Sequence, residues 1–216
     1  MAELLLELYS EEIPHGLQIS AREVIKKNLL ELLEEESINY KSAEVYSTPT
    51  RLVLLVRDLP TEIKIDSKEI RGPKVGVPEN IIEGFMRSHQ ITKKDLFEKT
   101  EEKGKFYSFK KKEKKILTED VLTKLAPKAI ASVGWKKSMR WSDYNLMWGR
   151  PLRSILAIFN NKQLKFDFHH LTSTDGVIIV DNFIDKIKKV KNFKEYESQL
   201  KACLLYTSDA ADEEDS

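Results

Sequence analysis

The residue types best suited to chemistry crowd together at Trp135-Lys-Lys-Ser-Met-Arg-Trp141, with Tyr144, Trp148, Arg150 and Arg153 close behind. All three tryptophans of the chain fall in this window, mixed with the five basic residues Lys136, Lys137, Arg140, Arg150 and Arg153. Aromatic rings stack nucleobases while Lys and Arg neutralise phosphates, so this interleaving makes those five residues a candidate RNA-facing surface. Trp and Tyr also dominate ordinary cores, and the reading given more weight is core aromatics beneath a basic rim.

Other groupings promise less. Gly72-Pro-Lys-Val-Gly-Val-Pro78 has the look of a phosphate cradle, but a P-loop needs four residues between its glycines and Lys-Ser/Thr after the second. Val77 and Pro78 follow here, and proline removes a backbone donor, so the run reads as a rigid turn entering a helix. Glu11 and Glu12 are adjacent acids after a strand; adjacent residues in extended chain face opposite ways, which suits solvated acids better than an acid/base pair. His169 and His170 meet the same objection as metal ligands and have no third ligand at a suitable spacing. No catalytic residue and no metal site is therefore expected. The run Phe109-Lys-Lys-Lys-Glu-Lys-Lys115 reads first as a solvated face and second as an RNA contact.

These residues need elements to hold them. Residues 3 to 9 predict a first strand ended by Pro14 and Gly16, and Gln18 to about Glu36 carries apolar residues at helical spacing. Ala43-Glu-Val-Tyr-Ser47, a turn at Thr48-Pro-Thr50 and Arg51 to Arg57 predict two strands, the second apolar enough to be central, with Pro60 closing it. Residues 61 to 78 predict an irregular connection, after which Pro78 opens a helix with Ile81, Ile82, Phe85 and Met86 on one side. Phe106 to Phe109 predicts a strand. Leu117 to Val133 has helical periodicity, with a kink or break expected at Pro127. Leu152 to Phe159, Asn160-Asn161, then Leu164 to Phe168 is the strongest hairpin signal, and residues 192 to 202 suit a short helix. Strands and helices mix without a regular β-α alternation, so the expected class is α+β, with a mixed, largely antiparallel sheet and flanking helices.

The chain has 216 residues, 41% hydrophobic and 33% charged, room for one large domain or two small ones, with no internal boundary evident. No apolar stretch nears the ~18 residues of a membrane span, and acids interrupt the apolar N-terminus, so neither a span nor a signal peptide is expected. Cys203 is the only cysteine, which excludes an internal disulfide. Residues 1 to 202 hold 36 basic and 30 acidic residues, a surplus of six that is compatible with an RNA partner.

Four segments, in order and at similar spacing, resemble the beta subunit of the two-subunit bacterial glycyl-tRNA synthetase. They are Leu4-Leu-Leu-Glu-Leu-Tyr-Ser-Glu-Glu-Ile-Pro14, Thr48-Pro-Thr-Arg-Leu52, Arg71 to Phe85, and Lys137-Ser-Met-Arg-Trp141 followed by Arg150-Pro-Leu-Arg-Ser-Ile-Leu-Ala-Ile-Phe159. The family usually has a Gly-His-Arg segment after the hairpin, whereas Thr174 to Asp181 contains neither His nor Arg. The resemblance implies a cytoplasmic accessory subunit, the N-terminal region of a longer protein. It implies tRNA and the alpha subunit as partners in an alpha2beta2 complex, and no membrane. ATP, with magnesium, would be used on the alpha subunit and no cofactor held by this chain. The five basic residues around the tryptophans then become candidate tRNA contacts. The His-Ile-Gly-His and Lys-Met-Ser-Lys-Ser signatures of one synthetase class, and the Gly-rich and arginine motifs of the other, are missing from the chain. The rival expectation is a freestanding RNA-binding or protein-interaction module.

From Cys203 the sequence Cys-Leu-Leu-Tyr-Thr-Ser-Asp-Ala-Ala-Asp-Glu213 resembles the conceptual translation of a transposon adapter used in sequencing libraries. Residues 203 to 216 are accordingly expected to be foreign and unpacked, the alternative being a natural acidic tail.

Overall fold

Three successive leucines, Leu4, Leu5 and Leu6, belong in a strand with no solvent face, and the computed structural model places them in one. β1 (Ala2–Ser10) leads to α1 (His15–Glu35), then to the hairpin β2 (Ser42–Thr48) and β3 (Arg51–Leu59). β4 (Glu62–Ile65), β5 (Glu69–Lys74), α2 (Glu79–His89), β6 (Leu96–Glu101), β7 (Gly104–Lys110) and β8 (Lys114–Leu117) follow. α3 (Thr118–Ala131) comes next, then the short strands β9 (Met139–Arg140) and β10 (Met147–Trp148) and the long β11 (Leu152–Phe159). β12 (Lys162–Gln163), β13 (Asp167–Phe168), β14 (Leu171–Thr172), β15 (Gly176–Asp181), β16 (Ile184–Lys189) and α4 (Phe193–Asp212) complete an α+β fold. The structure describes residues 2–65, 69–89, 91–101, 104–110, 114–141, 145–181 and 184–212.

The chain divides into two units: residues 1–63 with 117–216, and residues 64–116. In the first unit a five-stranded antiparallel sheet runs β12-β11-β1-β3-β2, with β1 at its centre. Alternation along each strand sorts the apolar residues onto two faces. Leu4, Leu6, Leu8, Leu54, Val56, Ile155 and Ala157 pack under α1 and α3, against Ile25, Leu29, Leu33, Leu122 and Ile130. Leu5, Val53, Leu55, Leu156 and Ile158 pack on the other face against Val177, Ile179, Val190 and Tyr196 from β15 to α4. A strand covered on both faces has no reason to alternate, which is why β1 and β3 read as continuous apolar runs.

The hairpin signal at Asn160-Asn161 is right about the turn and wrong about its return strand. Both asparagines take positive φ, 50° and 61°, as a type I′ turn requires. Pairing then ends after Phe159↔Lys162 and Ile158↔Gln163. A buried serine takes over: the Ser173 hydroxyl donates to the Leu164 carbonyl at 2.7 Å and accepts from the Phe166 amide at 2.8 Å. Leu164, Phe166 and Phe168 keep the inward alternation all the same, each at most 7% exposed.

Of the kink or break expected at Pro127, the break does not occur: α3 runs on through the proline. A mid-helix proline costs ~3 kcal/mol, but α3 buries Leu122, Leu125 and Ile130, each worth ~1.5–3 kcal/mol. Packing outweighs the lost backbone bond. α4 also exceeds its expected end at residue 202, its backbone continuing helical to Asp212. The side chains of the adapter-like segment, from Cys203 on, lie outside the described residues.

In the second unit the connection expected to be irregular contains β4 and β5. Its three-stranded sheet runs β5-β7-β6. Gly72 and Pro73 sit where the β5–β7 register shifts between Arg71 and Lys74, so the proline occupies a bulge and costs no ladder bond. A Cβ on Gly72 would lie 2.8 Å from the Phe85 ring and 2.9 Å from the Tyr107 carbonyl oxygen. Only glycine lets α2 lay Phe85 against the sheet, where it meets Phe109 edge-on at 5.8 Å.

Candidate functional site

The tryptophan window splits between core and rim. Trp148, on β10, is 2% exposed and belongs to the core beneath the helices. Trp135 meets it edge-on with ring centroids 5.0 Å apart, and Phe168 lies on it at 6.3 Å. The Trp141 indole N–H donates to the Trp148 carbonyl at 3.1 Å, across the β9–β10 pair. Gly149 makes this packing possible, since a Cβ there would come within 2.5 Å of the Trp135 ring. Trp148 is thus buried, and Trp135 and Trp141 are both half-buried and pack against the same core.

Lys136, Lys137 and Arg140 stand exposed on the outside of this aromatic cluster. Arg150 is half-buried, and its Nε donates to the Glu12 carbonyl at 3.1 Å, tying the β10–β11 loop to the end of β1. Arg153 turns to the other face of the sheet, where its Nη2 donates to Asp185 Oδ2 at 2.7 Å and its guanidinium lies 5.7 Å from the Tyr9 ring centroid. Of the five candidate residues, three share the rim of the tryptophan cluster, one clamps a loop and one faces elsewhere. Tyr144 lies outside the described residues, as do Lys111, Lys112 and Glu113 of the basic run.

The remaining candidates have local roles. Glu11 and Glu12 are exposed. His169, in the turn between β13 and β14, takes φ 54° and lies edge-on to Phe168 at 4.8 Å. Thr174 to Asp181, the segment that departs from the family pattern, pairs Thr174 with Leu156 and supplies Val177 and Ile179 to the second core.

That second core also holds a polar network that reading the sequence missed. Glu7 lies opposite Val53 in the β1–β3 register and Arg51 opposite Tyr9, so the acid and the base are diagonal neighbours on one face. Arg51 donates from Nη1 to Glu7 Oε2 at 2.8 Å, stacks 4.6 Å from the Tyr9 centroid, and donates from Nη2 to the Ile178 carbonyl. The Tyr196 hydroxyl of α4 donates to the same Glu7 oxygen. Burial pushes the Glu7 carboxyl above its ordinary value, opposed by the charge of Arg51 and by the hydrogen bonds from Tyr196 and Arg51. Burial and the neighbouring carboxylate push the Tyr196 hydroxyl up as well. Glu7 comes from the first of the four resembling segments and Arg51 from the second, so the network joins two motifs through chemistry that is structural.

The geometry defines an α+β scaffold with an internally neutralised core and a basic rim over aromatics. Among the described residues, no group of three His, Cys, Asp or Glu is placed to hold a metal ion, and no helix is long and apolar enough to cross a membrane. The chain belongs to the glycyl-tRNA synthetase beta subunit family, whose model matches residues 4–213. It is 37% identical over 203 residues to the glycine–tRNA ligase beta subunit of Rickettsia akari (strain Hartford), covering 93% of this chain and 30% of that protein. The corresponding protein of Rickettsia prowazekii (strain Madrid E) is 36% identical over 201 residues, again 93% of this chain and 30% of the relative. The chain thus spans about 30% of the length of the curated relatives it matches.

Proposed function

We propose that this chain serves glycyl-tRNA formation as part of a cytoplasmic glycine–tRNA ligase beta subunit, binding tRNA and joining the catalytic alpha subunit in an alpha2beta2 complex. ATP and magnesium are then used on the alpha subunit, and this chain performs no adenylation. Family membership over almost the whole chain carries the reading. The residues support it: the chain has neither set of synthetase signatures, and Gly72 to Pro78 is a bulged strand and turn rather than a phosphate loop. Stabilising charge at the α-phosphorus of ATP needs cations or magnesium placed for that purpose, and the basic residues found here border aromatics instead. Glycine-dependent ATP–pyrophosphate exchange tests the proposal. The chain alone should give none, and alpha subunit with full-length beta subunit should give robust exchange. Exchange by this chain without alpha would overturn the accessory role.

A further inference from the structure

The positive charge of the chain is confined to its second unit. Residues 64–116 hold 15 Lys and Arg against 9 Asp and Glu, a surplus of six, whereas residues 1–63 and 117–202 hold 21 of each. The surplus noted over residues 1–202 therefore sits in 53 of them. Solubility requires no such segregation, since a balanced surface of either sign keeps a protein in solution. A local excess of cations on a small unit is the footprint of a polyanion contact.

The strand register shows where that contact lies. Residues paired across antiparallel strands point to the same face. Phe106 of β7 pairs with Lys74 and Lys99, and Ser108 pairs with Arg71 and Phe97, so these side chains share one face of the sheet. Phe109 alternates to the opposite face, which Phe85 and His89 of α2 cover. On the face away from α2, the Arg71 guanidinium lies 3.5 Å from the Phe106 centroid and Lys74 Nζ lies 6.0 Å from it. Phe97 is 37% exposed beside them, and Arg71, Lys74 and Lys99 are exposed too. A sheet face on which Phe97 is 37% exposed among cations, beside Phe106 and Ser108 at 8% and 2%, matches a nucleic-acid strand, whose bases stack and whose phosphates pair with Lys and Arg. An acidic protein segment would use the cations and leave the exposed ring without a partner.

We propose that this face of the second unit is a single-stranded RNA platform, with a base stacked on Phe97 and the flanking phosphates held by Lys74 and Lys99. The proposal deepens the reading above, on which it rests only for the identity of the natural RNA. Fluorescence anisotropy on the full chain tests it, with a labelled oligouridylate of about 20 nucleotides, a duplex RNA of equal length as comparison, and polyglutamate as competitor. K74E/K99E should weaken oligouridylate binding at least tenfold and reduce the slope of log K against log salt by about two, one per lost phosphate contact. Phe97→Ala should weaken it about 5- to 100-fold with the slope unchanged, as expected for lost stacking. K162E/K165E, two exposed lysines of the first unit, should leave oligouridylate binding as it was. Folding of each variant is checked by circular dichroism and melting temperature. The proposal falls if folded K74E/K99E and Phe97→Ala bind like the parent, if the duplex binds as tightly as the single strand, if polyglutamate displaces the RNA at equal charge, or if the parent does not bind oligouridylate. None of these outcomes touches pyrophosphate exchange, which decides the accessory-subunit reading separately.

Discussion

Glu7 interrupts a run of leucines that otherwise fills the centre of the sheet, and a lone acid there would be costly to bury. Arg51 and Tyr196, 44 and 189 residues away in sequence, make it tolerable. Replacing a buried pair by apolar groups can be neutral, but removing one partner strands the other and costs ~3–5 kcal/mol. Arg51→Ala should destabilise the chain by about that amount, and the deficit should depend on pH. The Glu7 carboxyl is already raised by burial, and Arg51 is the strongest influence pulling it back. Without Arg51 the folded-state value climbs further above that of the unfolded chain. Stability tied to holding that proton is complete below the ordinary carboxylate value of ~4.3 and is lost as pH rises through the raised value. Urea midpoints of Arg51→Ala and parent should therefore diverge as pH goes from about 5 to about 8. A constant or shrinking gap would show that Glu7 is not the group left stranded. From sequence, Glu7 is legible as an oddity in an apolar run, but its partners are not, because only the sheet register brings residues that far apart onto one face. The same limit applies at the tryptophan window, where composition located the cluster but could not show that Arg153 turns to the opposite face.

Elements were most legible where one local rule governed them. The 3.6-residue period of α1 and the paired positive-φ asparagines at Asn160-Asn161 are local, and both elements form where the pattern puts them. Elements decided by packing were misjudged. Proline at position 127 argues for a break, yet α3 passes through it because its apolar face is held against α1 and the sheet. The helix therefore lacks one backbone amide at Pro127, a deficit that a single substitution can remove. Pro127→Ala restores an amide for the Thr123 carbonyl and removes the ring's clash with the preceding turn. It should stabilise the chain by ~1–3 kcal/mol, below the full proline penalty because the site lies close to the C-terminal end of the helix. Denaturant unfolding gives the value directly. A neutral or destabilising result would mean that the helix has already relaxed around the ring, or that the ring itself packs favourably.

At the scale of the whole molecule, the sequence conceals an insertion. No proline-rich or low-complexity linker marks residues 63/64 or 116/117, because the chain leaves through β4 and returns through β8, which pair with each other. A boundary built from paired strands carries strand-like sequence and has no composition shift to betray it. The ends of the insertion meet within the first unit, where the Thr118 amide donates to the Thr61 carbonyl at 3.0 Å. Both core clusters of that unit are built from its own residues, from Ala2 to Phe168 beneath the helices and from Leu5 to Tyr196 on the other face. Joining Ile63 to Leu117 through a short Gly/Ser linker should therefore leave the five-stranded sheet folded. A unit of this size changes its melting temperature by roughly 2–4 °C per kcal/mol, so a shift of a few degrees is expected. The excised form should also lose the surplus positive charge and, with it, most of the salt-dependent affinity for oligouridylate. Loss of cooperative melting would show that the second unit is needed to fold the first, and undiminished RNA affinity in a folded excised form would place the polyanion contact on the charge-balanced unit instead.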